Sequence, residues 1–459
     1  MYQIDFAKPL AVHFIGIGGI SMSGLAKVLL QEGFQVSGSD ALENGQTRHL
    51  ADCGAKVFYG QRAGNIGEGV GLVVYTAAIH PDNPEYEEAA RRGIPMVSRA
   101  ELLGQMMRNY RNALAVAGTH GKTTTTSMIT EILLAGGMDP TVSVGGILHS
   151  IGGNIRVGGR GLFVTEACEY TNSFLSFFPT MEVILNIEAD HLDFFKDLED
   201  IRHSFRLFAE KLPEDGLLII DGRIDNWEEI TKGLPCRVVT VGGGADSGYG
   251  AADIAYDRFA CPSFTLLKGG EPSGRIHLGV PGEHNVYNAL AAIAAADALN
   301  VPLEAVQQGL AGFAGTERRF EKKGEVGGIT IIDDYAHHPQ EITATLAAAR
   351  HYPHKKLWCV FQPHTYSRTK ALMDDFAQAL SAADEVVLAD IYAARESDTL
   401  GVSSGDIAGR LESLGTKAWH FSTFDEIEIF ILKNCSPGDL LITMGAGDIV
   451  KVGERLLGR

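Results

Sequence analysis

The segment Gly118-Thr119-His120-Gly121-Lys122-Thr123-Thr124 lies between two apolar segments. The first has the length of a β-strand, and the second has its apolar residues spaced as in an α-helix. Residues 113–117 before it are apolar, and apolar residues recur at helical intervals over 127–134 after it. Glycine-loop amides at a helix N-terminus bind phosphates, a lysine here reaches the outer phosphates, and the next hydroxyl binds Mg²⁺. The stretch therefore predicts a nucleotide-phosphate loop, with Lys122 on the phosphates and Thr123 on the metal.

The loop lacks the first glycine of the usual eight-residue phosphate-binding pattern. Val116 stands at that position, so only Gly121, Lys122 and Thr123 match the pattern. From this segment alone, two explanations stay open: a functional phosphate loop, or a chance Gly-Lys-Thr sequence.

The length of the chain bounds the number of domains. With 459 residues, it exceeds the size at which one hydrophobic core normally stops growing. Length therefore predicts about three domains. Stretches at 108–111 and 320–328 interrupt the apolar pattern, so we predict domains of residues 1–109, 110–321 and 322–459.

Charge and cysteine content restrict the partners and the compartment. The formal net charge is −18, and such a field disfavours nucleic acid and anionic membranes. The six cysteines are scattered without a Cys-x-x-Cys pair, which indicates a reducing compartment and argues against a zinc site. No apolar run approaches the roughly 20 residues that span a bilayer. We expect a cytoplasmic protein.

Strand-like apolar stretches alternate with helical patterns along most of the chain, as is typical of α/β proteins with parallel sheets. Glycine turns that follow a strand-like stretch and open a helix begin at Gly16, Gly118 and Gly445. Such turns lie at the carboxyl edge of a parallel sheet, where ligands bind. The pattern predicts three α/β domains, each with its own crevice.

The first glycine turn has part of a nucleotide-binding pattern. Gly16, Gly18 and Gly19 follow a strand, and Asp40 ends the next strand 24 residues after Gly16. Ser21 occupies the place of the third glycine. A dinucleotide site, a sugar-nucleotide site and a purely structural turn all fit this spacing. In either ligand-binding case, Asp40 is the candidate acceptor for a ribose or a base.

Polar side chains follow two further strands in the middle of the chain. Glu166 comes after an apolar stretch, and Asn186, Asp190 and His191 come after another. Strand ends that converge on one phosphate loop are suited to cations that bridge a nucleotide and its substrate. A solvated carboxylate or a core histidine would explain any one of these residues alone.

Two pairs of polar residues further along are ligand candidates. Asn285 and Asn288 lie on the first turns of an alanine-rich helix, where they can present amides to a purine or ribose or cap the helix. Arg318 and Arg319 lie near the second predicted boundary. Paired guanidiniums suit phosphate charge that grows during transfer, although exposed surface arginines are an equal alternative.

The last third has two strand ends crowded with polar side chains. One contains Tyr335 and His337, and the other contains His364 and Arg368. Such groups are poor core material and good ligand contacts. The spacing does not specify the ligand.

Taken together, the chain resembles the Mur ligases of peptidoglycan synthesis over nearly its whole length. Seven motifs occur in the order of that family: GIGGISMSG (16–24), GTHGKTTT (118–125), EACEYTNSF (166–174), NIEADHLD (186–193), GEHNVYNALAA (282–292), DDYAHHP (333–339) and FQPHTYSRT (361–369). The family uses the shorter GTxGKT loop, so the resemblance also explains Val116. It implies a Rossmann-like N-terminal domain, a central ATP-binding domain and a Rossmann-like C-terminal domain.

The resemblance also implies an activity. The FQPHTYSRT motif is most similar to the branch that joins L-alanine to the lactyl carboxylate of UDP-N-acetylmuramate, with ATP and with Mg²⁺ or Mn²⁺. ATP would phosphorylate the carboxylate, and the amine would attack the acyl phosphate. A recycling ligase that adds a tripeptide to the same nucleotide sugar is the nearest alternative. From other classes, a nicotinamide-dependent oxidoreductase and a non-catalytic nucleotide switch stay open.

Roles by resemblance fall into four groups. ATP would be bound by Gly118 to Thr124 with Asn285, Asn288 and Arg318. One metal ion would be bound by Thr123 and Glu166, and a second by His191. The UDP group would be bound by Gly16, Gly18, Gly19 and Asp40, and the amino acid by Tyr335, His337 and Arg368. Lys122 and Arg319 would offset charge on the transferred phosphoryl group, so Lys122, Glu166, His191, Arg319, His337 and Arg368 are the predicted catalytic residues. The chain has Thr365 where some relatives have arginine, and Glu317 where glycine is commoner.

Overall fold

The computed structural model describes residues 2–76, 78–192, 194–244, 247–394 and 396–459. Residue 193, the last of the fourth motif, lies outside them. The chain forms two compact units. The first contains Met1–Tyr249 with Ala291–Val306, and the second contains Gly250–Leu290 with Gln307–Arg459.

The first unit begins with a parallel sheet in the order β3-β2-β1-β4-β5. Its elements are β1 (Ala11–Ile15), α1 (Ile20–Gln31), β2 (Gln35–Asp40), α2 (Gly45–Asp52), β3 (Lys56–Tyr59), β4 (Val70–Tyr75), α3 (Pro84–Arg91), β5 (Met96–Ser98) and α4 (Arg99–Met107). The order of strands reverses at β1. In open parallel sheets, ligands bind in the crevice at the point where the strand order reverses, and the Gly16 turn lies there.

Seven strands of a second sheet lie in the same unit, in the order β12-β11-β10-β6-β9-β7-β8, with all neighbours parallel except β7 and β8. Its elements are β6 (Asn112–Ala117), α5 (Lys122–Ala135), β7 (Thr141–Leu148), β8 (Gly153–Arg156), β9 (Leu162–Glu166), β10 (Met181–Ile184), α6 (Leu198–Ala209), β11 (Leu217–Asp221), α7 (Trp227–Thr231) and β12 (Arg237–Val241). One continuous apolar cluster, including Phe14, Leu29, Phe163 and Phe205, forms the core of this unit.

The second unit contains a sheet in the order β16-β17-β21-β18-β19-β20, parallel except for the β16–β17 pair. The remaining elements of the chain are β13 (Tyr249–Tyr256), β14 (Pro262–Lys268), β15 (Glu271–His277), α8 (His284–Ala298), α9 (Leu303–Gly312), β16 (Glu321–Val326), β17 (Ile329–Asp334), α10 (Pro339–His351), β18 (Leu357–Phe361), α11 (Tyr366–Ala371), α12 (Met373–Leu380), β19 (Glu385–Ala389), α13 (Ser404–Ser413), β20 (Lys417–Phe421), α14 (Phe424–Asn434), β21 (Leu440–Met444) and α15 (Val450–Leu456). The Gly445 turn follows the central strand β21.

The predicted α/β class is confirmed, with Rossmann-like parallel sheets near both ends of the chain and a mixed sheet between them in sequence. The domain boundaries after residues 109 and 321 stay predictions. All six cysteines are free thiols. Within the described residues, no helix combines the length and apolar character that crossing a membrane requires.

Candidate active site

The strand before the phosphate loop is longer than the usual pattern allows, which explains the missing glycine. Strand β6 continues to Ala117, and Val116 is fully buried within it. Val116 pairs with Val183 on β10 and with Glu166 on β9. Val116 is therefore a core strand residue, and the loop begins two positions later at Gly118.

Two glycines give the loop its shape. Gly118 has a φ of +144°, and a Cβ atom there would lie 3.0 Å from the Cβ atom of Leu185 and 3.3 Å from the amide nitrogen of Asn186. Gly121 has a φ of +83° and immediately precedes helix α5. Side chains are disfavoured at both positions, by close approach at the first and by left-handed backbone at the second.

The loop is fastened to the end of β10. The amide of His120 donates to the Asn186 side-chain oxygen at 2.7 Å, and the Asn186 amide group donates to the carbonyl of His120 at 3.0 Å. The hydroxyl of Thr119 accepts the amide of Glu188 at 2.9 Å. These bonds hold the loop against the residues that follow β10.

Lys122 folds back over this loop. Its ammonium donates to the carbonyls of Gly118 at 2.5 Å and Thr119 at 3.0 Å, and lies 3.0 Å from a carboxylate oxygen of Glu169. Burial, the largest single effect, opposes the charged lysine, but the charge and hydrogen bond of Glu169, together with Cys168 and Glu166, raise the pKa of Lys122 overall. The ammonium is therefore held charged at the position predicted to meet nucleotide phosphates.

Glu169 is a site residue that the sequence reasoning missed. Its side chain is only 2% exposed, and its second oxygen lies 3.8 Å from Nε2 of His191. The imidazole of His191 also lies 3.7 Å from Asp190 and is near the ring of Tyr170, with centroids 4.5 Å apart. Glu169 follows Glu166 by three residues in the same motif, which made it a candidate without indicating which of the two glutamates contacts Lys122.

The predicted metal ligands have suitable donor chemistry. Glu166 ends β9 and accepts a hydrogen bond from the amide of Gly145. Thr123 lies on the first turn of α5 and is 8% exposed. Together with His191, they offer a carboxylate, a hydroxyl and an imidazole. Mg²⁺ prefers the oxygen donors and Mn²⁺ accepts the imidazole as well, so the residues fit either ion.

The first glycine turn is closed by Asp40. One Asp40 oxygen accepts the amide of Gly18 at 2.7 Å, and the other accepts the amide of Ala41 at 2.8 Å. A Cβ atom at Gly18 would lie 2.7 Å from atoms of Asn44 and Thr47, so a larger residue does not fit. Asp40 thus shapes the turn, and its role as a ligand contact stays a prediction.

In the second unit, the two asparagines form one hydrogen-bonded pair. The Asn285 side chain donates to the carbonyl of Pro281 at 2.7 Å, and Asn288 donates to the side-chain oxygen of Asn285 at 2.9 Å. Both are buried. The pair is rigidly placed on the first turns of α8, while its predicted nucleotide contact stays a prediction.

Arg318 binds the third glycine turn. Its guanidinium donates to Asp333 at 3.0 Å and to the carbonyls of Gly447 at 3.1 Å and Gly445 at 2.6 Å. Burial raises the pKa of Asp333, and the charge of Arg318 opposes that increase. Arg318 therefore ties the turn after β21 to β17.

The neighbouring Arg319 makes longer contacts than Arg318. Arg319 lies 3.8 Å from Glu341, and its guanidinium lies over the ring of Tyr335, 5.1 Å from the centroid. With Arg318 engaged in internal hydrogen bonds, Arg319 is the better placed of the two for a phosphoryl group. Both assignments stay predictions.

Aromatic rings gather at the carboxyl edge of the sheet in the second unit. His337 lies edge-on to Tyr335, with centroids 5.5 Å apart, and edge-on to His364 at 6.0 Å. His364 is stacked on Tyr392 at 5.6 Å. Burial, followed by the charge of Arg368, lowers the pKa of His364. The structure thus brings His337 and His364 together, and His364 was missing from our predicted site residues.

Three family models match the chain along almost its whole length. They are described as the Mur ligase family catalytic domain at residues 11–111, the Mur ligase middle domain at 116–296, and the Mur ligase glutamate ligase domain at 318–447.

Individual relatives agree with these models. The chain is 63% identical to a UDP-N-acetylmuramate–L-alanine ligase of Lachnospira eligens and 60% identical to one of Agathobacter rectalis, with 100% of each chain covered. Among solved structures, it is similar to the UDP-N-acetylmuramate-alanine ligase of Thermotoga maritima, with a TM-score of 0.80, 33% identity and coverage of 98% and 99%. It is also similar to a murein peptide ligase of Psychrobacter arcticus, with a TM-score of 0.70, 26% identity and 98% coverage of both chains.

Proposed function

The chain belongs to the Mur ligase family, and we propose that it joins L-alanine to the lactyl carboxylate of UDP-N-acetylmuramate at the expense of ATP, in peptidoglycan precursor synthesis. The observation that carries this proposal is the charged Lys122 ammonium, held over a preformed glycine loop beside Glu169. That arrangement suits phosphoryl transfer, in which the protein mainly positions groups and offsets charge.

The reaction needs ATP because a carboxylate has no leaving group. A carboxylate oxygen of the nucleotide sugar attacks the γ-phosphorus, and ADP leaves. The amine nitrogen of L-alanine then attacks the carbonyl carbon of the acyl phosphate and loses a proton. The carbon–oxygen bond to the phosphate breaks, and the products are an amide and inorganic phosphate.

In the first unit, the amides of residues 118–124 bind the phosphates, and Lys122 offsets the charge on the transferred group. Thr123, Glu166 and His191 would hold Mg²⁺ or Mn²⁺, which supplies further positive charge to the phosphate oxygens. The Gly16 turn at the start of α1 binds the diphosphate of the nucleotide sugar. This division assigns the two nucleotides to different sheets.

In the second unit, Arg368 pairs with the carboxylate of the amino acid, and Tyr335 and His337 position it. Arg319 steadies the phosphoryl group. A guanidinium is suited to both tasks because its planar fork matches two oxygen atoms of a carboxylate or a phosphate.

The choice of amino acid separates the proposal from its nearest alternative, a ligase for a murein tripeptide. Identity of 63% with an L-alanine ligase, against 26% with a murein peptide ligase, favours L-alanine. The same comparisons disfavour an oxidoreductase. The cytoplasmic location stays a prediction.

Phosphate release tests the proposal. The purified chain is incubated with ATP, Mg²⁺ and UDP-N-acetylmuramate, and with L-alanine, glycine, L-serine or the tripeptide in separate reactions. We expect strong stimulation by L-alanine. Stimulation by the tripeptide alone would overturn the assignment of substrate, and no stimulation by any amine would favour a non-catalytic nucleotide switch.

A further inference from the structure

Arg99 is a partly buried arginine without an acidic partner. It is the first residue of α4, and its guanidinium donates to the hydroxyl of Ser21 at 3.1 Å. The nearby Glu101 accepts the amide of Ser98 at 2.7 Å in a capping box at the start of this helix. In the part of the chain that the structure describes, no carboxylate lies within ion-pair distance of Arg99.

Several other arginines of the same unit are paired with carboxylates. Arg156 lies 2.5 Å from Asp139, Arg160 contacts Glu32, and Arg202 lies 3.8 Å from Glu229. Burial lowers the pKa of Arg99, and the thiol of Cys168 partly opposes that decrease. Since an unpaired buried charge is costly, its retention indicates that an anion completes the site.

The location of Arg99 indicates which anion. Ser21 lies on the first turn of α1, two residues after Gly19 of the glycine turn. Arg99 therefore lies beside the turn that would bind a diphosphate.

We propose that Arg99 binds an acidic group of the nucleotide-sugar substrate, either its diphosphate or its lactyl carboxylate. The inference rests on the proposed function, because that function supplies a substrate with both groups. Each group presents two oxygens that can accept hydrogen bonds from the guanidinium of Arg99. The hydroxyl of Ser21 accepts another hydrogen bond from the same guanidinium. Arg99 is thus a substrate-binding residue in addition to those expected from the sequence.

Direct titration tests the proposal. Arg99→Gln and Arg99→Lys are compared with the unmodified protein and with Arg111→Gln, which changes an exposed arginine of the same unit. Each protein is titrated with UDP-N-acetylmuramate and with UDP-N-acetylglucosamine, which has the diphosphate but no lactyl carboxylate. We expect Arg99→Gln to weaken UDP-N-acetylmuramate binding about 10- to 100-fold, as for a lost charged hydrogen bond. Arg99→Lys should recover part of the loss, and Arg111→Gln should bind normally.

The second ligand distinguishes the two anions. Weaker binding of both nucleotide sugars assigns Arg99 to the diphosphate, and weaker binding of UDP-N-acetylmuramate alone assigns it to the carboxylate. In turnover assays, KM for the nucleotide sugar should rise while KM for ATP stays unchanged.

Three outcomes would overturn the inference or its premise. Unchanged affinity of Arg99→Gln for both ligands would overturn it. An equal loss of ATP and nucleotide-sugar binding together with a lower Tm would also overturn it, because that result indicates a folding role. Failure of the unmodified protein to bind UDP-N-acetylmuramate would contradict the proposed function itself.

Discussion

The ammonium nitrogen of Lys122 lies 3.0 Å from a carboxylate oxygen of Glu169, a side chain that is 2% exposed. The same ammonium donates to the carbonyls of Gly118 and Thr119. Lysine, loop and carboxylate therefore form one hydrogen-bonded unit. We expect a nucleotide phosphate that contacts Lys122 to compete with these partners, so that Glu169 affects the free energy of nucleotide binding.

Glu169→Gln should alter the dependence on metal. The substitution keeps the shape but removes a negative charge beside Lys122 and His191, where phosphates and cations would meet. We expect the Mg²⁺ concentration for half-maximal phosphate release to rise about tenfold or more, as when groups around a metal site are removed. Glu131→Gln, on helix α5 with Lys122, is the control and should leave the metal dependence unchanged. An unaltered Mg²⁺ dependence in Glu169→Gln would exclude this role.

Lys122→Ala should separate turnover from nucleotide-sugar binding. Loss of the ammonium removes a group that offsets phosphoryl charge, so phosphate release should fall by at least about 100-fold. The Gly16 turn belongs to a different sheet, so the Kd for UDP-N-acetylmuramate, measured by calorimetry, should stay within about twofold of the unmodified value. A large loss of nucleotide-sugar affinity would contradict the assignment of the two ligands to separate sheets.

Loss of Arg318 should lower the free energy of unfolding, whereas loss of Arg319 should mainly lower turnover. Arg318→Met leaves the buried carboxylate of Asp333 without its guanidinium, which we expect to lower the free energy of unfolding by about 3 kcal/mol. Arg319→Met should leave the unfolding transition nearly unchanged and reduce turnover. Denaturant unfolding and phosphate release on both variants check this. Equal destabilisation by the two substitutions would show that both arginines are structural.

Glu182 should make stability depend on pH. It is fully buried on β10, and neither carboxylate oxygen has a hydrogen-bond partner among the described residues. Burial raises its pKa well above 4.5, partly opposed by Lys211. The folded state thus holds the proton more tightly than the unfolded state. Stability is fully present below the unfolded pKa and decreases as pH rises toward the folded pKa, by about 1.4 kcal/mol per pH unit.

Glu182→Gln tests this dependence. The amide does not titrate, so the variant should become more stable relative to the unmodified protein as pH rises from about 5 to 8. Thermal unfolding at several pH values measures the difference. Asp215→Asn changes an exposed carboxylate before β11 and should follow the unmodified protein. Parallel curves for Glu182→Gln and the unmodified protein would show that Glu182 does not cause the dependence.

The turns and the sheets were predictable because their causes are local. The strands before the first and third glycine turns end at Ile15 and Met444, where the apolar pattern ends, and the glycines follow at once. Glycines at positive φ leave a signature that does not depend on the rest of the fold. The start of α5 at Lys122 was less visible, because the threonines that follow it are weak helix formers.

Pairings between distant segments were not predictable. Nothing local indicates that Glu169 rather than Glu166 contacts Lys122, or that Asp40 closes back on Gly18. The stretch at 320–328 was interpreted as a break in the pattern, yet it contains β16, a mostly polar strand at the edge of a sheet. Edge strands bury little surface, so their sequences carry a weak apolar signal.

Isotope transfer from the substrate carboxylate to phosphate tests whether the reaction proceeds through an acyl phosphate. UDP-N-acetylmuramate labelled with ¹⁸O in the lactyl carboxylate is incubated with the enzyme, ATP and L-alanine, and the released phosphate is analysed by mass spectrometry. With both carboxylate oxygens labelled, we expect one ¹⁸O atom in each phosphate, in proportion to the amide formed, because the attacking carboxylate oxygen leaves with the phosphoryl group. Unlabelled phosphate, released while the amide forms, would contradict activation of the carboxylate through an acyl phosphate.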